Sequence, residues 1–220
     1  MNTIEIIEKL IQAVELGKIN KASPYPPELK GQDGADELTV QALEAGLKAE
    51  EILNKGLMPG MKAIGEKFSQ GKAFIPNMLI SAKAMNMAME HLKPFFEGGE
   101  VQFKGTLILG TVAGDLHDIG KNLVKMIMKG DGWKIVDLGV DVKTEQFVNA
   151  LKENPDAIVG MSALLTTTML NMKENITALR DIKPDLPIYV GGAAVSQEFA
   201  NSIQATGYFK DPHGFAQSLN

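Results

Sequence analysis

The sequence predicts an α + α/β fold class: an N-terminal helical bundle followed by a five-stranded parallel α/β domain. Up to about residue 92 the apolar residues recur at helical spacing, and beyond about residue 105 short apolar runs alternate with amphipathic helices. Between the two, Pro94–Lys104 (PFFEGGEVQFK) holds a glycine pair and charges, so the expected domains are 1–97 and 98–220. The run Thr106, Leu107, Ile108, Leu109 has the apolar density of a strand buried on both faces, which places it mid-sheet.

Ile6, Ile7, Leu10, Ile11 and Val14 share one side of a first helix over about 4–16, which Gly17 stops. Lys21 to Asp33 carry three prolines and a glycine and read as a loop or hinge. Leu38, Ala42, Leu43, Leu47, Ile52 and Leu53 predict a second helix from about Asp36 to Asn54, which Gly56, Pro59 and Gly60 then interrupt. A third helix runs from about Met61 to Phe68. A fourth opens at Pro76, where a missing N–H costs nothing, and continues to about Leu92. Met58, Met61, Met78, Met85, Met87 and Met89 suit either a helical core or an adaptable surface.

In the second domain, strands are expected at about 105–110, 133–138, 157–161, 187–190 and 208–209. Helices are expected at about 119–129, 144–151, 168–182 and 196–205, with a further one at the C-terminus. Strands alternating with helices of this length imply a parallel sheet covered on both faces.

With 45% hydrophobic and 22% charged residues, the 220-residue chain has an ordinary globular composition. A net charge of -5 without a Lys/Arg cluster argues against a nucleic-acid surface. Cysteine is absent, which removes disulfides, thiolate catalysis and iron–sulfur ligation. The opening MNTIEIIEKLIQAVELGK lacks the basic flank and pure apolar core of a signal peptide, and no apolar run is long enough to cross a bilayer, so no membrane partner and a cytoplasmic location are expected.

Asp115 and His117 lie in the loop leaving the first strand, where open α/β sheets bind ligands. A metal-ligating histidine needs its other ring nitrogen held by a carboxylate, and Asp115 can supply that contact. Gly114 and Gly120 leave room for a bulky group near the backbone. Two other readings remain open: Asp115 and Asp118 cap the next helix beside an exposed His117, or the Asp-Leu-His-Asp run seeds a hydrolytic metal site. Ser162, after the third strand, fits a hydrogen-bond relay or a helix cap. Gly191 and Gly192, after the fourth, allow a ligand to pass close or a chain to turn sharply. No dinucleotide or phosphate-loop glycine pattern is present.

Asp115-Leu116-His117-Asp118-Ile119-Gly120, extended by Lys121 and Asn122, matches the D-x-H-x-x-G cobalamin-binding signature. The chain resembles the corrinoid proteins of methyltransferase systems and the matching two domains of cobalamin-dependent methionine synthase. The likeness runs from about Leu38 onward and includes Gly60-Met61-x-x-Ile64-Gly65-x-x-Phe68-x-x-Gly71-x-x-Phe74-x-Pro76, Ser162-x-Leu164 and Gly191-Gly192. It implies a helical cap followed by a Rossmann-like, flavodoxin-like domain that binds cobalamin or a related corrinoid base-off. His117 would be the lower cobalt ligand, with Asp115 bonded to it and Ser162 continuing the relay. Gly114, Leu116, Gly120, Ser162, Leu164, Thr166, Gly191 and Gly192 would contact the cofactor, and Met61, Ile64, Phe68, Phe74, Met78 and Met85 are candidates for cap contacts.

The resemblance further implies a methyl carrier cycling between Co(I) cobalamin and methylcobalamin. Its expected partners are a substrate-specific methyltransferase, a second methyltransferase with a pterin or thiol acceptor, and a reductive activation protein. The Lys21–Asp33 connection and the Pro212-His213-Gly214 segment depart from the family pattern. A cobalamin-dependent sensor, a mutase subunit and a cofactor-free interaction domain are the competing functions. The first usually carries an output domain, and no basic recognition helix is evident here.

Overall fold

The computed structural model describes residues 2–98, 102–210 and 212–219. Its backbone divides into two compact units, Met1–Gln102 with Gly130–Gly132, and Phe103–Lys129 with Trp133–Asn220. Part of the expected boundary, Gly99 to Val101, lies outside the described residues, as does Asp211.

The first unit is helical. Helix α1 (Thr3–Leu16) starts where the Asn2 side chain accepts the Glu5 N–H at 2.8 Å and ends at Gly17 in the left-handed region, φ 73°. Its buried face, Ile6, Leu10, Ala13 and Val14, packs on α2 (Ala35–Glu44), α4 (Met58–Ser69) and α5 (Ile75–Glu97).

Three expectations are corrected in this unit. The predicted second helix stops at Glu44, because Gly46 turns the chain at φ 82° with open space around it. Helix then resumes as α3 (Ala49–Ile52), widens into a π-helical turn at Leu53–Leu57 and continues directly into α4, so no break occurs at Gly56, Pro59 or Gly60. Pro59 follows the widened turn as the second residue of α4. The two glycines serve packing: a Cβ on Gly56 would lie 2.9 Å from Leu10 Cδ2, and one on Gly60 2.7 Å from Val14 Cβ. Helix α5 also passes its expected end at Leu92, carrying Pro94 within its closing turns.

The second unit holds a five-stranded, wholly parallel sheet in the order β2-β1-β3-β4-β5. The strands are β1 (Thr106–Val112), β2 (Lys134–Val142), β3 (Ile158–Ser162), β4 (Ile188–Gly191) and β5 (Gly207–Phe209). The helices are α6 (Ile119–Gly130), α7 (Thr144–Glu153), α8 (Asn171–Ile182), α9 (Gln197–Ser202) and α10 (Pro212–Ser218). β1 and β2 run further than expected, and α8 starts at Asn171 rather than Thr168 because 164–170 form turns. α9 stops at Ser202, short of the expected 205.

Ile108, Val112, Val159, Met161, Ile188 and Val190 on the strands pack with Phe147, Leu151 and Leu179 on the helices as one core. The chain leaves β1 toward β2 on one side and reaches β3 on the other, so a topological switch point opens beyond the carboxyl ends of β1 and β3. Among the described residues no helix is long and apolar enough to cross a membrane.

If Gly60 is a packing residue, Gly60→Ala should destabilise the helical unit by about 1–3 kcal/mol, since its Cβ must displace either Val14 or the Ile11 carbonyl. Urea unfolding followed by helical circular dichroism checks this. An unchanged midpoint would mean that α1 and α4 separate freely.

Candidate functional site

The loop after β1 is built around a fully buried carboxylate. Asp115 Oδ1 accepts the His117 N–H at 3.1 Å and His117 Nδ1 at 2.7 Å. Its Oδ2 accepts Thr168 Oγ1 at 2.7 Å and the N–H groups of Leu164 and Leu165 at 2.8 and 3.3 Å. The second set comes from the turns after β3, so the carboxylate bridges the switch point. Burial alone would raise the Asp115 carboxyl, but the bonds from Thr168, Leu164 and His117 outweigh it and hold the group well below the usual carboxylate range.

An ionised carboxylate only accepts hydrogen bonds, so His117 Nδ1 must carry the proton. In the neutral ring Nε2 then keeps its lone pair. The His117 side chain is about half exposed, at 51%, and Nε2 has no hydrogen-bond partner among the described residues. Below the ring, the buried Thr111 hydroxyl donates to the His117 carbonyl at 3.0 Å, and Asn171 Nδ2 donates to the Ala113 carbonyl at 2.8 Å.

Around this histidine lie exposed apolar side chains, Leu116 and Ile119 before and at the start of α6, and Leu164 and Leu165 after β3. Glycines open the rest. Gly120 borders open space, with no atom within 4 Å of where a Cβ would sit, whereas at Gly192 (φ 116°) a Cβ would fall 2.0 Å from the Ala163 carbonyl oxygen. Only glycine fits that close approach between the ends of β3 and β4. Gly191 pairs with Ser162 across those strands, and Ala163 N–H donates to the Gly191 carbonyl at 3.1 Å.

The relay expected through Ser162 is corrected. Ser162 is the last residue of β3, held in register between Thr111 and Gly191, and the hydroxyl that reaches Asp115 is that of Thr168. Nor does the Asp-Leu-His-Asp run converge on a point, because Asp118 Oδ2 accepts Asn122 Nδ2 at 2.9 Å. Among the described residues no group of three or more His, Cys, Asp or Glu side chains could hold a metal ion. Thr166 is exposed. Of the residues named for the helical cap, Met61, Ile64, Met78 and Met85 are buried, Phe68 is half-buried and Phe74 is 69% exposed. Thr168 and Asp141 were missed by sequence reasoning. Asp141 Oδ1 accepts the Gly114 N–H at 2.6 Å, and no local spacing connects either residue to Asp115.

Comparison with known proteins bears on what this site holds. A B12 binding domain model matches residues 105–212, and a second B12 binding domain model matches 32–93. Trimethylamine corrinoid protein 1 of Methanosarcina acetivorans is 41% identical over 178 residues, covering 79% of this chain and 82% of its own. The chain belongs to the cobalamin-binding corrinoid proteins. Monomethylamine corrinoid protein 2 of the same organism is 38% identical over 211 residues, covering 93% of this corrinoid protein and 91% of its own length. Among solved structures, a cobalamin-binding protein from Desulfitobacterium hafniense superposes with TM-score 0.74 at 25% identity, covering 96% of each chain. A chain of the methanol:cobalamin methyltransferase complex from Methanosarcina barkeri gives TM-score 0.80 at 29% identity, covering 97% of this corrinoid protein and 77% of that chain.

The residues present fit a corrinoid. One imidazole nitrogen faces outward with its lone pair, apolar side chains flank it as a flat macrocycle requires, and glycines at the ends of β3 and β4 keep the backbone bare.

Because the Asp115 pKa is depressed on folding, its stabilisation is present above the unfolded value of about 3.9 and drains as the pH falls below it. The stability gap between wild type and Asp115→Asn, measured by urea unfolding, should therefore narrow from about pH 6 to about pH 3. Thr168→Val should cost about 1–3 kcal/mol at neutral pH by leaving Asp115 short of a donor, and a neutral effect would remove Thr168 from the relay.

Proposed function

We propose that this corrinoid protein is a methyl carrier that accepts a methyl group from a substrate-specific methyltransferase and delivers it to a second methyltransferase. The observation that carries the reading is the open Nε2 of His117, held by Asp115 at the switch point of the sheet. Bound cobalamin would supply the methyl-carrying chemistry at its cobalt. His117 would hold the cobalt through Nε2. Asp115 keeps the proton on Nδ1 and so keeps Nε2 directed at the metal position. Thr168, through Asp115, gives the pair a third member, so the proton shared at Nδ1 responds to how strongly Nε2 is engaged.

By the same reading Gly120, Ser162, Leu164, Thr166, Gly191 and Gly192 would border the path of the displaced nucleotide tail, and Gly114 and Leu116 would also contact the cofactor. Phe74 is the cap candidate with the exposure a cofactor contact needs. The names of similar proteins favour a methylamine or methanol as donor, and the resemblance implies a pterin or thiol as acceptor. A separate reductive activation protein would be its third partner.

The test is methyl transfer. Cobalamin-loaded protein is first reduced to Co(I) with titanium(III) citrate, then incubated with a donor methyltransferase and trimethylamine, monomethylamine or methanol in turn, and conversion is followed by visible absorbance. One donor–enzyme pair should methylate the wild type, and His117→Ala should do so at least about tenfold more slowly. Loaded protein that accepts a methyl group from none of them, but binds adenosylcobalamin in preference to methylcobalamin, would point to a sensor instead.

A further inference from the structure

β2 is an edge strand, yet it reaches the His117 loop with more than ladder bonds. Its register against β1 slips twice: Leu109 faces Asp137 and Gly110 faces Gly139, after which Val112 faces Val142. β2 therefore holds two more residues than the stretch of β1 beside it, and such bulges re-aim side chains next to functional sites. Gly139 (φ 86°) and Asp141 (φ 53°) take up the bend in the left-handed region.

The bend places one aspartate on each flank of the loop. Before His117, Asp141 Oδ1 accepts the Gly114 N–H at 2.6 Å, and the Asp141 N–H donates to the Asp115 carbonyl at 3.0 Å. After it, the Asp137 carboxylate receives Lys121 Nζ and Lys125 Nζ, each at 2.6 Å, and the Gly139 N–H at 3.0 Å. Lys121 is buried in the first turn of α6. Burial alone would raise the Asp137 carboxyl, but the two ammonium groups and the Gly139 N–H bring it down to about 2. At position 141, glycine would adopt the observed φ without strain. What an aspartate adds there is an acceptor for the Gly114 N–H.

The bonds from Leu164, Leu165 and Thr168 hold the Asp115 carboxylate, and the His117 bond fixes the ring relative to Asp115. Neither fixes the backbone of 114–115, nor the start of α6, relative to the edge of the sheet. We propose that the bulged end of β2 is a clamp that sets the direction of His117, with Asp141 and the Asp137–Lys121 pair as positioning residues. The proposal rests on His117 being the cobalt ligand, but it makes its own claim about the protein without cofactor.

The test is nuclear magnetic resonance on the full-length apoprotein. Amide exchange at Gly114 and the His117 Nδ1–H signal are compared in wild type, Asp141→Gly, Asp141→Asn and Lys121→Met. Asp141→Gly relieves the backbone but removes the acceptor, and should speed Gly114 exchange about tenfold or more while weakening the His117 signal. Asp141→Asn keeps an acceptor oxygen and should restore both. Lys121→Met keeps the buried stem and should shift the His117 signal while leaving Gly114 protected. A His117 signal of wild-type strength in Asp141→Gly, or at the wild-type position in Lys121→Met, would overturn the clamp, as would Asp141→Asn behaving like Asp141→Gly. Failure of wild type to bind cobalamin would count against the proposed function alone and leave the apoprotein comparison standing.

Discussion

A carboxylate without solvent, Asp115, is the constraint around which the α/β unit is arranged. A buried charge persists only when its lone pairs are met, and here they are met from two directions: by His117 two residues on, and by Leu164, Leu165 and Thr168 about fifty residues on. The parallel order β2-β1-β3-β4-β5 makes this possible, because it sets the ends of β1 and β3 side by side while their crossovers diverge. Once the acid is ionised, the tautomer of His117 follows, and with it the outward lone pair at Nε2.

The surroundings of that nitrogen divide their work by chemical type. Leu116, Ile119, Leu164 and Leu165 offer an exposed apolar surface, and among the described residues no group of three or more His, Cys, Asp or Glu side chains could hold a metal ion. Glycine at 192 lets β4 end against the Ala163 carbonyl, an approach that any side chain would block. The helical unit uses glycine in the same way at positions 56 and 60, where α1 sits too close for a Cβ.

What was legible in the sequence was local. Asp115 and His117 are two residues apart, a spacing that allows the acid-to-imidazole contact but equally allows helix caps, and the family likeness singled out the contact that the structure makes at 2.7 Å. Hydrophobic runs and helical periods located the five strands and most helices to within a few residues. Thr168 was out of reach because its partner lies 53 residues away, and a run of three threonines gives no sign of which one turns inward. Ser162 is assigned to the relay only through the family likeness; in the structure it is paired along the strands with Thr111 and Gly191, and the hydroxyl on Asp115 is that of Thr168. Gly56, Pro59 and Gly60 read as a helix break because periodicity cannot tell a glycine that turns the chain from one that admits a neighbouring helix. Asp141 carries no motif at all: its role arises from the two register slips in β2, which depend on the partner strand.

The most direct measurement is electron paramagnetic resonance of the protein loaded with Co(II) cobalamin, prepared with natural-abundance and with ¹⁵N-labelled histidine. If His117 Nε2 is the lower ligand, the nitrogen superhyperfine splitting should change from a triplet to a doublet on labelling and disappear in His117→Ala. A splitting that ignores the label would show that the cofactor's own base, or no nitrogen of this chain, lies beneath the cobalt, and would contradict the role assigned to His117.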